Sequence, residues 1–325
     1  MDLNAVVIGC GRMGASASSR LENIVPDGWL PISHAECCIA ANGLNLLGLS
    51  DLNGELLRAA GERYNIDMIT SDYISLLDTQ KPEVICLATR TPAKSEIITY
   101  ACNSGVKGIY VEKPLANSII DCENILDKIS DSSCYISYGV NRRFHDSYRQ
   151  AKEIVERGEL GALQEVVIEF GYSQLLWSHP HTMDLLIYYA GIPVKLRSEM
   201  LEHSIVQKSD NFIDSDPVIV SAQFVFENNV RGTIVQGNGS VVRLHCVDGD
   251  VTIHGDGAFV QTSVRKDAKS PYFLQQSFYY PDAPLSATVV ALQELVRVIN
   301  GELTDQQFHS LISPDDILTG MKMLI

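Results

Sequence analysis

The chain opens on a short apolar run, Ala5-Val6-Val7-Ile8, with the length and β-branching of a buried strand. Runs of the same kind recur in LNLLGLS ending at Ser50, EVICLAT around Cys86 and KGIYV ending at Val111. Between them the apolar positions take helical spacing. GELLRAAGERYNI is amphipathic, YISLLDT is a short helix, and AKSEIITYACNSG is a helix closed by Gly105. Strands alternating with helices predict a parallel sheet with crossover helices. The pattern then changes. LQEVVIEFGYS reads as a strand and LLWSHPHTMDLLIYYAG, residues 175–191, as a helix. From Asp216, the segments PVIVSAQFVFEN, VRGTIVQGN, SVVRLHCVDG and DVTIHGDG alternate or are β-rich, with Asn, Gly and Asp turns between them, and predict antiparallel strands. The aromatic-rich connector RKDAKSPYFLQQSFYYPDA either lines a substrate mouth or packs the sheet edge. Two helices close the chain: one ends at Gly301, and one has Ser313 as N-cap and Pro314 in its first turn.

The chemistry starts where the first strand ends. Gly9, Gly11 and Gly14 stand in G-x-G-x-x-G spacing, followed by ASASS, which can start a helix. The first glycine permits a tight turn, the second lets backbone approach a pyrophosphate, and the third allows close helix–strand packing. The helix N-terminus adds unpaired N–H groups and positive potential. These features predict a dinucleotide site. An acidic residue after the second strand is expected roughly 20 residues past the glycines. Here Asp51 follows Gly14 by 37 residues (51 − 14). The excess falls in NIVPDGWLPIS, Asn23 to Ser33, and reads as a surface insertion; a flap over the cofactor or a partner contact are the alternatives. A carboxylate at Asp51 accepts ribose hydroxyls and repels a 2′-phosphate, so NAD is expected over NADP. Ligands bind parallel sheets at the strands' carboxyl ends. GCGRMG, ATRTP and EKP lie there, giving Gly9, Gly11, Arg12, Met13, Gly14, Asp51, Thr89, Arg90, Glu112 and Lys113 as candidate cofactor contacts.

Composition narrows the setting. A chain of 325 residues with 46% hydrophobic positions accommodates two domains with real cores. No apolar run approaches the ~18 residues of a membrane span, and no signal peptide is indicated. The formal net charge of −15 argues against nucleic acid and anionic membranes as partners. The eight cysteines show no C-x-x-C spacing, and a reducing, cytoplasmic location is expected.

At Glu112-Lys113-Pro114 a family becomes recognisable. That tripeptide, the glycine motif, the ATRTP turn and the segment VNRRFHDSYRQAKEIVERGELG, residues 140–161, together resemble the Gfo/Idh/MocA oxidoreductases. The resemblance implies an α/β chain: an N-terminal Rossmann domain, taken as 1–118, and a C-terminal α/β domain, 119–325, with an open, mostly antiparallel sheet. It also implies a homodimer or homotetramer, because one face of that sheet needs covering. Hydride transfer with NAD or NADP at a hydroxyl carbon of a sugar, cyclitol or sugar nucleotide is the implied chemistry. Lys113 occupies the family's EKP lysine, which typically contacts substrate and nicotinamide. Where the family often has His after its ATP-like turn, this chain has Lys94. The family's D-x-G-x-H-x-x-D segment places His181 on its histidine and Asp184 on its final aspartate. The first aspartate falls on Trp177, which cannot accept a proton, and His179 is the candidate stand-in.

The sequence thus predicts a dehydrogenase in which Lys113 holds the reacting oxygen and His181 exchanges its proton. Asn141, Arg142, Trp177, His179, His181 and Asp184 join Lys113 as candidate substrate contacts, and no metal site is expected. The alternatives are a non-catalytic NAD- or sugar-sensing regulator, and an enzyme that uses tightly bound NAD for hydrolysis or elimination.

Overall fold

The computed structural model of the chain describes residues 2–200, 212–213, 215–265, 267 and 269–325. The connector at 265–283 thus lies partly outside the described residues. Its remainder includes an edge strand, so it packs the sheet edge as one of the two sequence readings held.

The N-terminal half alternates as the apolar pattern predicts. β1 (Leu3–Ile8), α1 (His34–Ala40), β2 (Leu44–Ser50), α2 (Gly54–Tyr64), β3 (Met68–Thr70) and α3 (Tyr73–Gln80) come first. β4 (Val84–Leu87), α4 (Thr91–Asn103), β5 (Gly108–Val111), α5 (Ile119–Asp131) and β6 (Tyr135–Tyr138) complete the unit. All its pairings are parallel and the order is β3-β2-β1-β4-β5-β6, the doubly wound arrangement. β4 and β5 are buried throughout, as a parallel sheet covered on both faces requires.

The C-terminal half contains α6 (Asp146–Glu156), β7 (Leu163–Glu169), β8 (Ser173–Gln174), α7 (Leu175–Ala190) and β9 (Pro193–Met200). β10 (Val218–Phe226), β11 (Arg231–Val235), β12 (Val241–Cys246), β13 (Gly249–His254), β14 (Phe259–Val264) and β15 (Gln275–Tyr279) follow. They form a nine-stranded sheet, antiparallel except where β7 meets β11. Its inner face, with Val166, Ile168, Ile234, Leu244 and Ile253 buried, packs under α6 and α7. The chain ends in α8 (Ala287–Ile299), α9 (Asp305–Leu311) and α10 (Pro314–Leu324). Ser313 caps α10 with Pro314 in its first turn, as expected.

The division at residue 118 needs correction on two counts. The first sheet runs on through β6, and α8 returns to pack on β5 and β6, with Ile299 and Leu295 against Gly108. α8, from the far end of the chain, therefore covers part of the N-terminal sheet.

The helix expected from ASASS also forms differently. Ala15 and Ser16 donate to the Gly11 carbonyl at 3.1 and 3.2 Å, completing one turn. The next rungs come from far along the chain: His34 N–H reaches Met13 O at 2.8 Å and Ala35 N–H reaches Gly14 O at 2.9 Å. In an unbroken helix those carbonyls would take the N–H groups four residues on, at 17 and 18. Seventeen residues (34 − 17) have been looped out of one helix. Removing them brings the Gly14–Asp51 spacing to 20 (37 − 17), the usual interval.

The excursion is not a surface loop, which corrects the preferred reading. Trp29 is 7% exposed, and its Nε1–H donates to Asp256 O at 2.8 Å. Its ring lies 5.1 Å from that of His145 and 5.2 Å from the Arg142 guanidinium. Gly28 O accepts from Ala287 N–H at 2.9 Å and Pro31 O from the Ser286 hydroxyl. The segment straps the start of the first domain to the junction with the second.

Candidate active site

The site is built from strand ends of the first sheet and the start of α7. Gly9 has φ +97°, and a Cβ there would meet the Ala88 carbonyl carbon and oxygen at 2.8 Å. A Cβ on Gly14 would lie 1.7 Å from Gly9 O, so no side chain fits. Gly11 faces open space, with nothing within 4 Å of its Cβ position. Asp51, at the end of β2, takes Cys10 N–H on Oδ2 at 2.6 Å and Asn53 N–H on Oδ1 at 2.7 Å. A carboxylate has about four acceptor positions, so two remain for ribose hydroxyls. Thr89 carries a buried hydroxyl with no partner among the described residues, beside the same turn. A turn that admits only glycine at positions 9 and 14, an acidic end to β2 and an orphaned hydroxyl suit a dinucleotide. Met13 contributes its carbonyl to the split helix, and Arg90 is exposed at the N-cap of α4.

Glu112 and Lys113 follow β5. The Glu112 carboxylate is turned inward to His34 Nε2, 3.1 Å away, and supports the turn from beneath. Burial raises this carboxyl, but the His34 hydrogen bond and the charges of His34, Lys113 and Lys94 outweigh it and hold the carboxyl below its ordinary range. Lys113 points toward α7. Its Nζ donates to Trp177 O at 2.5 Å and lies 4.4 Å from the indole centre. Arg12, on the glycine turn, stacks on the same indole at 4.9 Å. Burial lowers the Lys113 ammonium's pKa, with help from Arg142 and Arg12 and against Glu112 and Asp216.

α7 supplies the opposing wall. His181 has a buried Nδ1 with no partner among the described residues. Burial, then the charges of Arg142, Lys113 and His179, push its pKa well below the ordinary 6.5. The ring is neutral at physiological pH, as a base must be. The first-domain lysine and the second-domain histidine are thus within each other's electrostatic reach.

Other candidates are placed differently. His179 is fully buried between the hydroxyls of Ser173 (3.0 Å) and Thr182 (2.9 Å), and burial pushes it down to about 4. It does not pair with His181, so it is no stand-in for the aspartate lost at Trp177. Asp184 is also buried, and forms a two-pronged pair with Arg143 (2.5 and 3.1 Å). Asn141 bridges the Tyr110 and Thr288 hydroxyls at 2.7 Å each, inside the core. Arg142 spends its fork on Asp256 (2.8 and 2.7 Å) while lying over Phe170 at 4.7 Å. The polar atoms of these four are engaged by protein partners, whereas Trp177 is 49% exposed.

Three contributors escaped the sequence reading. Asp216 accepts Leu176 N–H at 2.5 Å at the start of α7, and its charge reaches Lys113. His34 supports Glu112, and Asp256 fixes Arg142. No local pattern marks these positions, because each partner lies more than 30 residues away. Among the described residues no group of three or more His, Cys, Asp and Glu side chains is placed to hold a metal ion, and no helix is long and apolar enough to cross a membrane.

Comparison with known proteins agrees with this geometry. Residues 3–140 match the model of the oxidoreductase family, NAD-binding Rossmann fold (GFO_IDH_MocA). The inositol 2-dehydrogenase of Salmonella typhimurium is 26% identical over 163 residues, covering 50% of this chain and 44% of that protein. The chain thus spans less than half the length of that curated relative. Among solved structures, levoglucosan dehydrogenase in complex with NADH and levoglucosan superimposes with a TM-score of 0.74 at 18% identity, covering 100% of this chain and 98% of that one. An oxidoreductase from Agrobacterium radiobacter in complex with NAD+, L-tartaric acid and magnesium gives a TM-score of 0.75 at 13% identity, over 100% and 94% of the two chains. At such identities the likeness is one of fold.

Proposed function

We propose that this chain, whose residues 3–140 match the model of the oxidoreductase family with an NAD-binding Rossmann fold (GFO_IDH_MocA), is an NAD-dependent dehydrogenase acting on a secondary alcohol of a sugar, cyclitol or sugar nucleotide. What supports this reading is the placement of Lys113 on Trp177 at the start of α7, with His181 four residues further along that helix and its pKa lowered in part by the Lys113 charge, while Arg12 of the glycine turn stacks on the same indole.

A bound nicotinamide supplies the hydride acceptor or donor. The chain does the rest. In the oxidative direction His181 takes the hydroxyl proton, and it can do so without losing one first because its own pKa lies so low. The Lys113 ammonium stabilises the negative charge that develops on the oxygen. The Trp177 backbone oxygen holds the Lys113 amine in place. The relatives' names, inositol 2-dehydrogenase and levoglucosan dehydrogenase, support a polyhydroxylated ring. Homodimerisation across the outer face of the large sheet belongs to the same reading. Val167 and Val235 lie half-buried on that face.

Screening inositols, sugars and sugar nucleotides with NAD, while following nicotinamide absorbance, tests the activity. Turnover of at least one ring alcohol is expected. Tight NAD binding with no oxidisable substrate across the panel would favour the sensing regulator instead. Light scattering on the purified protein tests the dimer, which a monomer at micromolar concentration would refute.

A further inference from the structure

Lys94 sits in the first turn of α4 and is 1% exposed. Lysine is almost never fully buried unless paired, because desolvating the ammonium is costly. A leucine would fill the same volume without that cost, so what the ammonium touches bears on its purpose. Its Nζ donates to two backbone oxygens, Glu112 O and Pro114 O. These are the carbonyls immediately before and after Lys113. Both protein acceptors of one buried amine therefore bracket the residue that reaches into the cleft.

We propose that Lys94 is a positioning residue for Lys113: its buried amine clamps the Glu112–Pro114 turn and so fixes where the Lys113 ammonium stands. The inference rests on the reading that Lys113 holds the substrate oxygen. The groups facing Lys94 are few. Burial draws its pKa down to about 7, the Glu112 carboxylate opposes this, and Lys113 adds to it. Its charge is therefore lost near neutrality, yet the clamp survives, because a neutral amine still has two N–H bonds for its two carbonyls. A clamp that works in both charge states holds the Lys113 turn on either side of neutrality.

The test uses the full chain carrying Lys94→Met, which keeps length and removes both donors, and Lys94→Gln, whose shorter carboxamide cannot span both carbonyls. The first readout needs no substrate: competitive isotopic labelling of lysines in the NAD-free protein, read by mass spectrometry across pH. A freed turn should change the labelling rate and apparent pKa of Lys113 at least about three-fold in rate, with other lysines unmoved. The second is turnover, which should fall about 10- to 100-fold, the usual cost of a small misplacement, while NAD affinity stays within about two-fold. Unchanged Lys113 labelling in a folded variant would overturn the proposal. So would failure of both variants to fold, which would make Lys94 a core support and nothing more. The dehydrogenase reading fails separately, if the wild-type chain turns over no alcohol while the labelling shift is still seen.

Discussion

At the scale of single residues, the proposed chemistry needs two perturbed groups in opposite protonation states. His181 acts as a base only when deprotonated, and its pKa is held well below 6.5 by burial and by the charges of Arg142, Lys113 and His179. Alcohol oxidation should therefore hold its rate as pH falls through 6.5, and decline only at more acidic pH. Lys113 acts only when protonated, and burial lowers its pKa from 10.5. The alkaline limb should accordingly begin below that value. A pH profile of kcat/KM checks both limbs; an acid limb centred on 6.5 would mean that an unperturbed histidine is the base. Asp51 makes a separate prediction. NAD should bind at least ten-fold more tightly than NADP, about 1.4 kcal/mol. Asp51→Ala should narrow that gap and also weaken NAD, because Cys10 N–H loses its acceptor. Titration of both dinucleotides measures this, and equal affinities in the wild type would refute the assignment. Glycine spacing and the EKP tripeptide made the dinucleotide side legible in the sequence. The substrate side was less so. His179, Asp184, Asn141 and Arg142 carry the polarity of site residues, yet each is used up by a partner distant in sequence or folded beside it.

At the scale of elements, the strands were legible because burial on one or two faces writes itself into period and β-branching. The split helix was not. Its hydrogen-bond ladder closes between Met13–Gly14 and His34–Ala35, and nothing local in ASASS announces that the next rung lies beyond a long excursion. What looked like a dispensable loop, rich in Pro, Gly and Asn, hides one tryptophan whose burial decides its role. Trp29→Ala should cost about 3–5 kcal/mol of stability, the range for emptying a buried aromatic site. Replacing Asn23 to Ser33 by a Gly-Ser link should cost at least as much. Urea unfolding of both variants gives the answer, and a change under about 0.5 kcal/mol would restore the surface-insertion reading.

At the scale of the whole molecule, the cleft exists only because two sheets are held in register across it. The Arg142–Asp256 pair, the Trp29 strap and the Arg143–Asp184–Asp316 cluster do this holding. Arg143 is the hub of that cluster: it joins the turn after β6 to α7 and α10, and also donates to Leu311 O at 2.6 Å. Asp184→Ala leaves a buried guanidinium short of its main partner and should destabilise by about 3–5 kcal/mol. Calorimetry should show the loss with the NAD-over-NADP preference unchanged. A fall in turnover with no fall in stability would instead return Asp184 to the substrate site.

In the proposed mechanism one residue from each domain carries the chemistry, and single-turnover kinetics test this most directly. With a substrate identified and NAD saturating, the rate of nicotinamide reduction is followed in the wild type, His181→Ala and Lys113→Met. The rate should fall about 10²–10⁴-fold in His181→Ala and comparably in Lys113→Met, with unaltered NAD affinity in His181→Ala. Wild-type rates in both variants would contradict it.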